Sequence, residues 1–318
     1  MTTWPNHGEA WRQWRDALGG ERMHHGWLLA GKAGLGKRDF ALAAARELVA
    51  EPGVPQPAGE HPDIIVLTYG PKDDKAERAA AEGKPFERAR SIRIKQIRAM
   101  QKRLVTRPTL GSRRAIIIDP ADDMEKAAAN ALLKSLEEPP VGTFFLLVTH
   151  RPARLLPTIR SRCRTLRFPV LSDSQLAAML ETAGLRPDPQ AIAAADGSFG
   201  VALRFAEEEL APVAEAITAL ITRGDNGLAR RGDLARLIGP RASRERVQAV
   251  LDLAQGLVAR AARQSPDPAH RERLIDTHAA LVGLAAEAPT ANFDAGLLPF
   301  EIGGLLVAAA PASETAHG

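Results

Sequence analysis

The chain has 318 residues, enough for roughly two or three domains with cores of their own. Apolar residues make up 45% and charged residues 25%, the balance of a globular protein and not of a disordered or fibrous one. The net charge of +4 leans basic, which suits nucleic acid or an acidic partner and selects neither. Cys163 is the only cysteine, so an intrachain disulfide and a multi-cysteine zinc site are both excluded. The first residues lack a basic-then-apolar signal pattern, and no apolar run reaches the ~18 residues of a membrane span. A cytoplasmic protein is the simplest reading.

In chain order, Glu9 to Leu18 reads as a short helix. All four tryptophans fall within the first 27 residues and are expected to pack into an N-terminal core. Trp27 to Ala30 is a short apolar strand, and Arg38 to Val49 a helix with Phe40, Ala44 and Leu48 on one side. Glu51 to Glu60, rich in proline and glycine, is a loop. Ile64 to Leu67 is a second strand. Thr68 to Ala89 is charged and poor in large apolar residues, and reads as a flexible surface insertion. Ile92 and Ile94 alternate with Arg93 as a short strand would. Ile97, Met100 and Leu104 then mark a helix.

Ile116 to Ile118 is a buried-strand run ending in Asp119. Asp122 to Glu125 reads as a helix start with an acid at the cap. Met124, Ala128, Leu132 and Leu136 follow at spacing four on one face, and Pro139-Pro140 ends the helix. Phe144 to Val148 is another strand, and an arginine-rich loop follows, closing on Ser161-Arg162-Cys163. Past Arg167, Ser172 to Gln175 is a capping box and Asp188-Pro189 opens another helix. From about Pro212 the pattern is helical throughout, clearest over 243–262 and 270–285. No catalytic constellation stands out there, and the region reads as a packing or oligomerisation domain.

Gly31-x4-Gly36-Lys37, with Gly34 between, follows a strand and opens a helix, the context of a phosphate-binding loop. Glycines let backbone N–H groups curl round phosphates, and Lys37 reaches the terminal ones. Two catalytic parts are missing. The position after the lysine needs a Ser or Thr hydroxyl for Mg²⁺, and it is Arg38. Asp119 could hold a metal through water, but the residue after it, where such ATPases carry a glutamate, is Pro120. The residues argue against a self-sufficient ATPase and leave open whether nucleotide still binds.

AANALLKSLEEPP at 128–140, Thr149 and Ser161-Arg162-Cys163 together resemble bacterial clamp-loader subunits of the AAA+ class. His61-Pro62-Asp63 and Ile94 to Arg98 resemble their delta-prime type in particular. The resemblance covers about residues 22–204. It implies an α/β AAA+ (P-loop) core over 1–168, a small helical lid over 169–208 and an all-α collar over 209–318. It also implies membership of an assembly that uses ATP to open a sliding clamp and place it on primed DNA. The partners would be motor subunits of the gamma/tau type, a delta subunit, the clamp and the DNA, with no membrane.

Delta-prime subunits do not themselves turn over ATP, which agrees with Arg38 and Pro120. Motor subunits carry a lid arginine whose matching position here is Gly200; Arg204 lies a turn further on and is not assigned that role. The degenerate nucleotide site implied comprises Gly31, Gly34, Gly36, Lys37, Asp119 and Thr149. ATP or ADP would bind there weakly or non-productively, and no cofactor is required. Many relatives carry a four-cysteine zinc module where this chain has only the 51–60 loop, so no zinc is expected. Ser161-Arg162-Cys163 carries over as an arginine-finger motif, with Arg162 acting in a neighbouring subunit's ATP site. Cys163 reads as a packing residue and not a nucleophile. Two rivals remain at this point: an active motor ATPase of the gamma/tau type, and an independent DNA-binding protein using the arginines of 151–167.

Overall fold

The computed structural model describes residues 4–20, 23–225, 227–240, 242–287 and 297–311. The chain divides into two compact units, residues 1–170 and 171–318. In the first, a short turn at Pro5–His7 precedes α1 (Gly8–Leu18), β1 (Gly26–Ala30), α2 (Lys37–Val49) and β2 (Ile64–Leu67). Then come α3 (Asp74–Ala81), α4 (Ile94–Leu104), β3 (Arg114–Ile118), α5 (Lys126–Glu137), β4 (Thr143–Thr149), α6 (Pro157–Arg160) and β5 (Arg164–Arg167).

The five strands are all parallel, in the order β2-β3-β4-β1-β5. Successive strand residues point to opposite faces, so each apolar run feeds two cores. Trp27, Leu29, Ile117, Leu146 and Val148 pack with Trp14, Phe40 and Leu48 of α1 and α2 on one face. Leu28, Ile116, Ile118, Phe145 and Leu147 pack with Met100, Leu132 and Leu136 of α4 and α5 on the other. Large side chains buried this way each contribute about 1.5–3 kcal/mol.

The sequence expectations need correction at four places. Residues 68–89 are not a featureless insertion: they contain α3, which Asp73 caps by accepting from the Ala76 N–H at 2.9 Å. Pro71 bridges Arg88, and the Ala89 N–H reaches the Gly70 carbonyl at 2.7 Å. Ile92 and Ile94 form no strand. Ile92 makes an isolated bridge to Met124, and Ile94 opens α4, whose start is held by the Arg93 N–H donating to Gln96 Oε1 at 3.0 Å. Asp122 and Asp123 lie in a separate short turn, Ala121–Asp123, and α5 starts only at Lys126. Arg162 follows a short helix, α6, and not a plain loop.

The 51–60 loop is tied down by polar contacts. Arg46 donates to the Pro57 and Gly59 carbonyls, His61 pairs with Gln56, and the Ser112 N–H donates to Glu51 at 2.6 Å.

The second unit is helical: α7 (Asp173–Thr182), α8 (Pro189–Ala195), α9 (Phe199–Glu207), α10 (Ala211–Arg223), α11 (Ala229–Ile238), α12 (Arg244–Gln264), α13 (Pro268–Glu287) and α14 (Leu297–Ala308). The Ser172 capping box closes α7 at its start as its sequence predicts. The core gathers Ile217, Leu220, Leu251, Leu253, Leu281 and Leu306. A Cβ on Gly256 would lie 2.0 Å from the Ala194 carbonyl oxygen, so glycine is what lets α8 and α12 cross so closely. Arg204 is held by Asp252 at 2.6 Å. Among the described residues no helix is long and apolar enough to cross a membrane.

Candidate functional site

The parallel sheet brings the carboxyl ends of β1, β3 and β4 side by side. Ala30 pairs with Thr149 and Ile118 with Leu147, so Gly31, Asp119 and Thr149 emerge at one end. That is where open α/β sheets take ligands. Gly34 and Gly36 have φ of 74° and 71°, a left-handed backbone that glycine adopts without strain, and Gly36 is the N-cap of α2. A Cβ on Gly31 would lie 2.5 Å from the Phe168 carbonyl oxygen, so the exit of β5 crowds the loop from outside.

Two carbonyls of the loop are met by its own lysine. Lys37 is buried, and its ammonium donates to the Gly31 and Lys32 carbonyls at 2.7 and 2.5 Å. Burial pulls it down to about 8, against the pull of Asp122 and Asp119 in the other direction. Arg38 lies 3.6 Å from the Asp119 carboxylate. Burial raises the Asp119 carboxyl above its ordinary value, while the charges of Arg38 and Lys37 oppose that rise. A guanidinium thus faces the acid that would serve a metal.

Residues 4–7 lie across the same loop. A Cβ on Gly36 would meet the Trp4 indole at 2.1 Å, so the ring rests on this glycine. Trp4 Nε1 donates to Asp39 at 3.1 Å, and the ring stacks on His7 at 5.4 Å between centroids. His7 Nε2 is 2.8 Å from the Leu35 carbonyl, and its ring meets Phe40 and Phe168 edge-on. Burial lowers the His7 pKa, favouring a neutral ring. Trp14 and Trp27 are core residues as their positions suggest, but Trp4 is part of the site, and 32 residues separate it from Gly36.

Beside Asp119, Asp122 is buried and accepts from the His150 N–H at 3.0 Å. Burial pushes its carboxyl up, but the His150 N–H and charge outweigh that and hold it below the ordinary range. Arg151 reaches Asp122 at 3.5 Å and Asp123 at 3.3 Å, and Tyr69 donates to Asp123 at 2.5 Å. Arg154 adds a longer pair with Asp123 at 3.9 Å. Arg151 and Arg154 of the arginine cluster are therefore engaged within the chain.

Ser161-Arg162-Cys163 lies elsewhere. A Cβ on Gly26, at the start of β1, would sit 2.8 Å from the Arg162 carbonyl oxygen and 3.2 Å from Cys163 Sγ. The phosphate loop begins at the far end of that strand, roughly 16 Å away at about 3.3 Å per residue. Arg162 Nη1 donates to the Thr158 carbonyl at 2.9 Å, and Nη2 lies 2.7 Å from Glu137 Oε1. Ser161 Oγ donates to the same Thr158 carbonyl at 3.1 Å. Burial pushes the Cys163 thiol up to about 12, which keeps it a neutral packing group.

A family model described as DNA polymerase III, delta subunit, matches residues 6–172, just over half of the chain. Its curated relatives at 33–39% identity carry the delta-prime name. The chain belongs to the delta-prime family of DNA polymerase III subunits. The delta-prime subunit of Pseudomonas aeruginosa is 39% identical over 167 residues, 47% of this chain and 46% of that protein. The tau/gamma subunit of Haemophilus influenzae is 30% identical over 163 residues, 51% of this chain and 22% of the relative. The matches thus span about half the length, or less, of these relatives. A gamma subunit-related protein of Thermotoga maritima superposes at a TM-score of 0.45 and 19% identity, over 94% of this chain and 98% of that one.

For a delta-prime family member the arrangement has two separate ends. Gly31, Gly34, Gly36, Lys37, Asp119 and Thr149 do converge, with Arg38 set among them. Arg162 does not join them. Sequence reasoning missed Trp4 and His7, which no local pattern signals, and Glu137. That last residue had a signal: a carboxylate in the final turn of a helix opposes the helix dipole, and so calls for a cation.

Proposed function

We propose that this chain is a non-hydrolysing clamp-loader subunit that supplies Arg162 as an arginine finger to the ATP site of a neighbouring subunit. The observation that carries the reading is that Arg162 sits at the opposite end of β1 from the chain's own phosphate loop. Along one strand that separation is too large for a side chain to span, so the guanidinium serves a phosphate outside this chain or none. Such a finger stabilises charge spread over the transferred phosphoryl group and is worth about 10³–10⁵ in rate.

The loop supports the other half of the reading. Arg38 replaces the metal-binding hydroxyl and pairs with Asp119, Pro120 offers no base, and Trp4 covers Gly36. ATP or ADP binding would then be weak or non-productive, with no cofactor required and no zinc. In this proposal residues 169–208 serve as a lid and 209–318 as a collar that joins subunits. The partners are gamma/tau-type motor subunits, a delta subunit, the sliding clamp and primed DNA, in the cytoplasm.

The isolated chain decides between this reading and an active motor. It should release no phosphate from ATP above background with Mg²⁺ present. Turnover abolished by Lys37→Ala would overturn the proposal. Tight, steeply salt-dependent DNA binding by the chain alone would favour the independent DNA binder instead.

A further inference from the structure

We infer that Glu137 is the positioning residue for Arg162, a role that rests on the finger reading above. Glu137 is the last residue of α5, just before Pro139-Pro140. A carboxylate there faces the negative end of the helix dipole and is unfavourable by itself. Its contact with Arg162 Nη2 at 2.7 Å offsets that and fixes one edge of the guanidinium. The Thr158 carbonyl fixes the neighbouring nitrogen, Nη1, at 2.9 Å. Two anchors from two different elements, α5 and α6, thus set the direction of a side chain that would otherwise sample many rotamers.

A guanidinium carries more N–H donors than these two contacts use, so donors remain for a phosphate oxygen. Both side chains are partly exposed, Arg162 at 35% and Glu137 at 48%, so the pair is within reach of a neighbour. The base of the pair is rigid. His25 Nε2 is 2.9 Å from the Leu136 carbonyl, one residue before Glu137, and Gly26 lets the Arg162 backbone lie directly on β1. Strand, helix end and finger turn therefore form one block. An exposed ion pair contributes little to stability, so losing it releases the arginine without unfolding the protein.

The test is a double-mutant cycle of Glu137→Gln and Arg162→Ala in the reconstituted complex with gamma/tau-type subunits, reading kcat and KM for ATP. Assembly and thermal midpoint serve as controls for folding. Arg162→Ala defines the turnover that depends on the finger. Glu137→Gln should lower that share by about two- to fivefold, the range expected for an exposed pair, through kcat with KM unchanged. In the Arg162→Ala background it should cost nothing more. Glu137→Gln indistinguishable from wild type while Arg162→Ala is impaired would overturn the positioning role alone. So would losses that simply multiply. No effect of Arg162→Ala would overturn the finger reading and this inference with it.

Discussion

Arg38 and Asp119 lie 3.6 Å apart at the mouth of the phosphate loop, so the acid that would serve a metal is already paired with a fixed cation. Arg38 is half exposed, so the pair itself contributes at most about 1 kcal/mol and its loss should leave stability nearly unchanged. Arg38→Thr restores the hydroxyl and frees Asp119. The variant should bind a fluorescent ADP analogue about tenfold more tightly with Mg²⁺ than the wild type. It should still release no phosphate, because Pro120 supplies no base. Measurable turnover by this variant would show that the missing carboxylate is not needed.

Trp4 covers the same loop from outside. Trp4→Ala removes the ring from Gly36 and the bond to Asp39, so the Gly36 end of the loop becomes more open to solvent. The analogue should then bind more tightly, while the thermal midpoint falls less than for a fully buried tryptophan such as Trp14, whose loss costs about 3–5 kcal/mol. Unchanged affinity would mean that the ring does not limit access.

Lys37 gives a pH dependence with a defined sign. Its pKa falls from an ordinary 10.5 to about 8 on folding, chiefly through burial. Below about pH 8 the lysine is charged in both states, and burying the charge costs its full amount, about 3 kcal/mol. Between about pH 8 and 10.5 the unfolded chain holds a proton that the folded chain has shed, so stability rises with pH. Lys37→Met should flatten this rise in urea unfolding measured across the window. An identical slope in wild type and variant would place the lysine's proton elsewhere.

Much of this was legible in the residues, and the gaps have physical causes. The apolar runs at 27–30, 64–67, 116–118 and 144–148 are strands because both faces of a parallel sheet are buried. The phosphate loop was legible because its parts are adjacent in sequence. Residues 68–89 misled because only Ala76 of α3 is buried, so the helix leaves almost no apolar stripe. Ile92 and Ile94 misled because three residues cannot separate a period of two from the first turn of a helix. Trp4 on Gly36 was not legible because the contact joins segments distant in sequence; Glu137 signalled a need for a cation at its helix end, but not that Arg162 would supply it.

On the proposed reading, the working arginine of this chain, Arg162, acts on a neighbour. The most direct measurement is ATP turnover by the reconstituted complex carrying Arg162→Ala. Assembly should be intact, and the site that receives the finger should lose about 10³-fold or more in rate, so the complex loses that site's share of turnover. Full assembly with unchanged turnover would contradict the account.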